Sequence, residues 1–96
     1  MVVYGSVKGQ AAKIFFDSGS CISIIGGKMF EKIKNSLTVE QAEFDNIIAV
    51  NQTESAVAGM VRASVQIGKF IGEAKMNILP ESNHEILLGR DFLRDH

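Results

Sequence analysis

The clearest pattern in this chain is a two-residue alternation, with Val61, Ala63, Val65 and Ile67 on one side and Arg62, Ser64 and Gln66 on the other. Apolar residues at every second position put one face of a strand into a core and leave the other to solvent. Gly68-Lys69 turns this strand into a partner, Phe70 to Leu79, whose Ala74, Met76 and Ile78 share a face. Near the start, Val2-Val3-Tyr4 and Val7 predict another strand. Lys8-Gly9-Gln10 supplies a tight turn into a further one, Ala11 to Asp17.

The remaining elements are shorter. Ile22 to Ile25 predicts a brief strand closed by Gly26-Gly27. Lys28 to Lys34 predicts a short helix with Met29, Phe30 and Ile33 on one side, and its lysines read as a solvated face. A strand is expected around Ile47 to Val50, followed by turn chemistry from Asn51 to Ser55. Pro80 to Glu85 reads as a loop and Ile86-Leu87-Leu88 as a buried strand stopped by Gly89. Asp91 is placed to N-cap a terminal helix, Phe92 to His96. The sum is an all-β class, mostly antiparallel, with one or two short helices.

Composition narrows the function classes. Ninety-six residues, 46% hydrophobic and 22% charged, predict one soluble domain over residues 1–96. A net charge of −1 with scattered basic residues gives no footprint for nucleic acid or an anionic membrane. The single cysteine, Cys21, excludes an intrachain disulfide and is expected to be a small buried thiol. With no secretory leader pattern and no apolar run of about 18 residues, an intracellular, reducing location is expected.

The candidate chemistry lies at the end of the second strand. In Ile14-Phe15-Phe16-Asp17-Ser18-Gly19-Ser20, an apolar run delivers a carboxylate to a sharp break. The strand sets Asp17 in a partly desolvated place suited to proton transfer, and Gly19 lets the backbone turn and approach a neighbour. Alone, the Asp-Ser-Gly triplet is a weak signal. Far downstream, Ile86-Leu87-Leu88-Gly89-Arg90-Asp91-Phe92-Leu93 supplies a second block. The two blocks, with Ser23-Ile24-Ile25 following the first, resemble those of the retropepsin family. These are the aspartic proteases of retroviruses and long-terminal-repeat retrotransposons, and the Gly-x-Asp-Phe-Leu form is most similar to the retrotransposon branch. The resemblance runs over nearly the whole chain.

That resemblance implies a small closed β domain that forms a two-fold homodimer, each protomer donating one catalytic Asp17. Two carboxylates so close share a proton and titrate as a pair. One is implied to act as general base on a water attacking the peptide carbonyl and the other as general acid. Ser18, Gly19 and Ser20 are implied to support the active-site loop, Ser18 by bonding across the two-fold axis. Leu87, Leu88, Gly89 and Arg90 are implied to pass behind it. The hairpin carrying Val50, Asn51, Gln52, Thr53, Glu54 and Ser55 falls where the family has a substrate-covering flap, although its tip lacks the glycines of many viral members. Two further departures concern Arg90 and the chain ends. Many viral relatives pair this Arg with an acidic residue just after the triplet, where Cys21 and Ile22 stand here. The family also commonly adds a strand beyond the terminal helix at the dimer interface, so a stretch ending at Asp95-His96 is expected to lack terminal strands and to dimerise weakly.

The implied function is an aspartic endopeptidase that processes a polyprotein, with an extended peptide as substrate, a second copy of itself as partner, and no cofactor. Its implied place is the cytoplasm or a virus-like particle. The rival is a retropepsin-like dimerisation or peptide-binding module with little or no activity. Other chemistries fare worse. A Cys21–His84 nucleophilic pair has no orienting motif, and His84 and His96 are expected to be solvated, with no second cluster to make a metal site. Gly26-Gly27-Lys28 lacks the rest of a phosphate loop, and Asn51-Gln52-Thr53 is read as a turn rather than a glycosylation site. Asp45 and Asp95 lie in polar stretches with no following Gly.

Overall fold

The computed structural model describes residues 1–43, 45–48 and 54–96. Six strands close into a barrel: β1 (Val2–Val7), β2 (Gln10–Phe16), β3 (Ile24–Gly26), β6 (Gly59–Ile67), β7 (Phe70–Leu79) and β8 (Ile86–Leu88). Around the barrel they run β1-β2-β8-β3-β7-β6, with β6 returning to β1. A separate two-stranded ribbon pairs β4 (Asn46–Ile48) with β5 (Glu54–Ala56). Helix α1 covers Gly27–Ile33 and continues as a 3-10 turn over Lys34–Ser36, and α2 covers Arg90–Asp95. Among the described residues the expected strands and helices are present, with small shifts at their ends, and a further strand, β5, takes in Glu54 and Ser55, where the sequence predicts a turn. The short third strand begins at Ile24 rather than Ile22, and the last helix begins at Arg90 rather than Phe92.

Local chemistry explains the hairpins. Lys8 and Gly9 both take positive φ, 52° and 81°, the conformation a two-residue type I′ turn requires. Gly9 adopts it freely, whereas at Lys8 it is sterically costly. Val7 and Gln10 close the turn, and the β1–β2 pairing runs from there to Val2 opposite Phe15. Gly68, at φ 59°, turns β6 into β7, which pair along their length from Ile67–Phe70 to Gly59–Ile78.

The core follows the alternation. Val61, Ala63 and Val65 of β6 point inward with Ala74, Met76 and Ile78 of β7, Ile14 of β2 and Ile86 and Leu88 of β8. Met29 and Ile33 of α1 seal the same cluster, while Lys28, Lys32 and Lys34 lie exposed as expected. The alternation breaks at the end of β7, where Met76, Asn77, Ile78 and Leu79 are all buried. There β7 pairs in parallel with β3, and the backbone at Ser23 covers the face carrying Asn77.

The segment before β4 is fastened to the outside of the sheet. Glu40 bridges to Met60, and its carboxylate meets Arg62 at 3.1 Å. Glu43 meets Lys75 at 2.6 Å. The hydrogen bond from Lys75, with its positive charge, holds the Glu43 carboxyl below its usual range. A lowered value means that the pair favours the folded state above the ordinary Glu range and loses that contribution as pH falls through the lowered one. The contribution is small because both groups are solvated. A titration followed by NMR should place Glu43 below the usual glutamate midpoint, and Lys75→Ala should return it; an unmoved midpoint would rule out this cause.

Candidate active site

The apolar end of β2 carries the chain to Asp17. Ile14 is fully buried, Phe15 and Phe16 are half-buried, and Asp17 follows half-buried at the rim. Its backbone N–H donates to the Leu88 carbonyl at 3.0 Å, so the residue leaves β2 still paired with β8. The chain then folds over itself. The Gly19 N–H donates to Asp17 Oδ1 at 2.9 Å and the Ser20 N–H to the Asp17 carbonyl at 3.1 Å. This is an Asx turn, in which a short carboxylate takes the place of a backbone acceptor. Ser18 and Gly19 are exposed at its tip, while Ser20 is half-buried with its hydroxyl on the Ile22 carbonyl at 2.8 Å.

The conformational demand expected at Gly19 falls elsewhere. Gly19 keeps an ordinary φ, and a Cβ there would meet only Asp17 Oδ1, at 3.1 Å. The close approach is at Gly89, where a Cβ would lie 2.3 Å from the Ile22 carbonyl oxygen and 2.7 Å from that of Ser20. Thus Leu88, Gly89 and Arg90 lie directly against the Asp17 loop, while Leu87 is paired one step back, with Phe15 and Ile24. Leu88 is paired with Phe16, and the Arg90 N–H donates to the Ser20 carbonyl at 2.8 Å.

Two side chains sit differently from expectation. Cys21 is exposed, not buried, because it lies on the outer side of the loop. The guanidinium of Arg90 donates to its sulfur, so the thiol stands where many viral relatives have an acid. His84, by contrast, is exposed as expected, and it stacks on Phe15 with ring centroids 5.2 Å apart. Asp91 is not the helix cap. Gly89 holds that position, and Asp91 lies inside the first turn, where its carboxylate reaches back to Ser23. Glu54 and Ser55 lie on β5 opposite Ile48 and Ile47, in the ribbon rather than in the barrel that carries Asp17. The other flap positions, Val50, Asn51, Gln52 and Thr53, lie outside the described residues. Among the described residues, no three His, Cys, Asp or Glu side chains are grouped to hold a metal ion.

Residues 3–95 match the family described as "gag-polyprotein putative aspartyl protease". The chain belongs to this family. Its fold is that of the retropepsin-like aspartic proteases. It is similar to the retroviral protease-like domain of Ddi1 from Leishmania major, with TM-score 0.77 and 18% identity over 100% of this chain and 76% of that one. It is similar to EIAV protease bound to the inhibitor HBY-793, with TM-score 0.79 and 14% identity over 99% and 86% of the two chains. Simian foamy virus (mac) protease follows at TM-score 0.60 and 16% identity, over 98% and 92%.

Within this retropepsin-like frame, two polar residues that no motif marks as partners also stand behind the loop. Ser23 and Asn77 are buried polar residues, 0% and 2% exposed; Asn77 donates to the Ser23 carbonyl, and Ser23 in turn bonds to Gly89 and Asp91. A faint signal existed: each is a lone polar residue inside an apolar run, Ile22 to Ile25 and Met76 to Leu79. Polar residues so placed need partners, but the periodicity does not say which.

Proposed function

We propose that this chain is one half of an aspartic endopeptidase that cleaves extended segments of a polyprotein, with Asp17 as its catalytic carboxylate. The carrying observation is the Asp17 turn. A half-buried carboxylate is held at the end of a core strand and braced from behind by Leu88–Arg90, in a chain of the gag-polyprotein aspartyl protease family. Peptide hydrolysis without a bound nucleophile needs a base to draw a proton from water and an acid to protonate the departing nitrogen. Two carboxylates that cannot both ionise provide both. These 96 residues hold one Asp-Ser-Gly triplet, and in this reading a second copy of the domain supplies the other. The exposed Ser18 and Gly19 form the surface through which the two loops would meet.

In this reading Ser18 bonds across the two-fold axis, and residues 50–55 close over the substrate and offer it backbone hydrogen bonds. The work is done in the cytoplasm or in a virus-like particle. The rival, a dimerisation or peptide-binding module, draws on the likeness to the protease-like domain of Ddi1.

The experiment is to follow peptide-library cleavage while diluting the protein, with sedimentation beside it. Activity per chain should fall as the dimer dissociates, and a statine-type transition-state mimic should block it. Activity that stays constant per chain on dilution to monomer would overturn the shared site. A stable dimer that binds peptides without cutting them would favour the module.

A further inference from the structure

The hydrogen bonds behind the Asp17 turn assign each donor and acceptor. The Gly89 N–H donates to Ser23 Oγ at 3.0 Å, which leaves that hydroxyl one proton to give. It goes to Asp91 Oδ1 at 2.6 Å. The backbone N–H of Ser23 donates to Asp91 Oδ2 at 3.2 Å, and the Phe92 N–H adds a bond to Oδ1 at 2.7 Å. The Ser23 carbonyl accepts from the Asn77 backbone at 2.9 Å and from its side-chain amide at 3.2 Å. Both carboxylate oxygens of Asp91 therefore face only donors. The position requires an acceptor-only group, and an amide there would turn an NH₂ against at least one N–H or O–H.

These bonds form part of a larger clamp. Asp17 N–H to Leu88, Arg90 N–H to Ser20, Gly89 N–H to Ser23 and Ser23 to Asp91 fasten residues 17–23 to 88–91 at both ends and in the middle. Because Gly89 is already in close approach to the Ser20 and Ile22 carbonyls, a shift of the second segment has no slack to absorb it.

We propose that Asp91, acting through Ser23, is a positioning residue for the reaction, setting where the loop presents the Asp17 carboxylate. This rests on the peptidase reading. Asp91 touches no reacting atom. It holds the strand and helix that carry the loop, and a displacement of about 1 Å at a reacting group costs roughly a hundredfold in rate.

The test compares wild type, Asp91→Asn, Ser23→Ala and the double variant. Competent sites are counted by titration with a tight statine-type mimic, so that kcat refers to assembled sites. Each single variant should lose about 10–100-fold in kcat per site with KM within about threefold. The double variant should be no worse than the poorer single one, because the two residues act as one unit. Wild-type kcat per site in either variant would overturn the role, as would a loss that vanishes once sites are counted, or additive losses in the double variant. If Asp91→Asn does not fold, Ser23→Ala carries the test, since it removes one hydroxyl and leaves the Ser23 N–H on Oδ2. A wild type that cleaves nothing removes the peptidase reading and this role together, whereas an active wild type with unaffected variants removes this role alone.

Discussion

Under the proposed peptidase function, Asp17→Asn should lower kcat by about 10³–10⁴-fold while leaving the fold and the proposed dimer in place. The substitution changes little except proton chemistry. The Asn side chain has nearly the shape of Asp and keeps an oxygen where Asp17 Oδ1 accepts the Gly19 N–H at 2.9 Å. The backbone bonds of residue 17 to Leu88 and Ser20 are untouched. In the proposed dimer both halves of the site lose their carboxylate at once, because every copy carries the change, so no base remains to take the proton from water. Circular dichroism and sedimentation should match wild type, and peptide cleavage should approach background. Residual activity within about tenfold of wild type would show that another group performs the proton transfer.

Gly89→Ala should have the largest effect on folding of any change at the site. Its Cβ would sit 2.3 Å from one backbone oxygen and 2.7 Å from another. Neither oxygen belongs to a flexible side chain that could move aside, so the two segments must part. The Ser20 carbonyl also accepts the Arg90 N–H, and the Ile22 carbonyl accepts the Ser20 hydroxyl, so separation strains further bonds. Overpacking of this kind costs about 1–3 kcal/mol, and the backbone partners place this case at the upper end. In a domain of this size each kcal/mol lowers Tm by about 4–8 °C. A Tm within about 3 °C of wild type would mean that the close approach relaxes at little cost. Activity should fall more than stability alone explains, because the displaced Gly89–Arg90 segment carries the loop that holds Asp17.

The contrast between Gly19 and Gly89 shows what local pattern can reveal. The sequence marks both as glycines beside a carboxylate, and the familiar triplet draws attention to Gly19. In the structure Gly19 has an ordinary backbone and one close neighbour, the Asp17 carboxylate, whereas Gly89 leaves no room for a side chain against two backbone oxygens. Steric demand of that kind comes from a segment distant in sequence, which no local pattern encodes. Cys21 gives the same lesson. Small thiols are most often buried, yet this one lies outside the loop with Arg90 across its sulfur.

Apart from β5, at Glu54–Ala56, whose first two residues read as turn, the sequence by itself determined the strands, the β1–β2 and β6–β7 hairpins, the short helices and the position of Asp17 at the end of an apolar run. Each is local: alternation records which face is buried, Gly and turn residues record where the chain reverses, and a carboxylate after an apolar strand is poised wherever that strand lies. It also carried two blocks specific enough to point to the retropepsin-like proteases. Only the tertiary structure decided the order around the barrel. There β2 lies parallel to β8, and β3 is inserted between β8 and β7, pairings that join distant segments. It alone moved Asp91 from an expected helix cap to the acceptor for Ser23, and brought Ser23, Asn77 and Gly89 together behind the Asp17 turn. The reason is that a hydrogen bond between residues far apart in the chain depends on where both backbones come to rest, and one-dimensional periodicity carries only the burial of each.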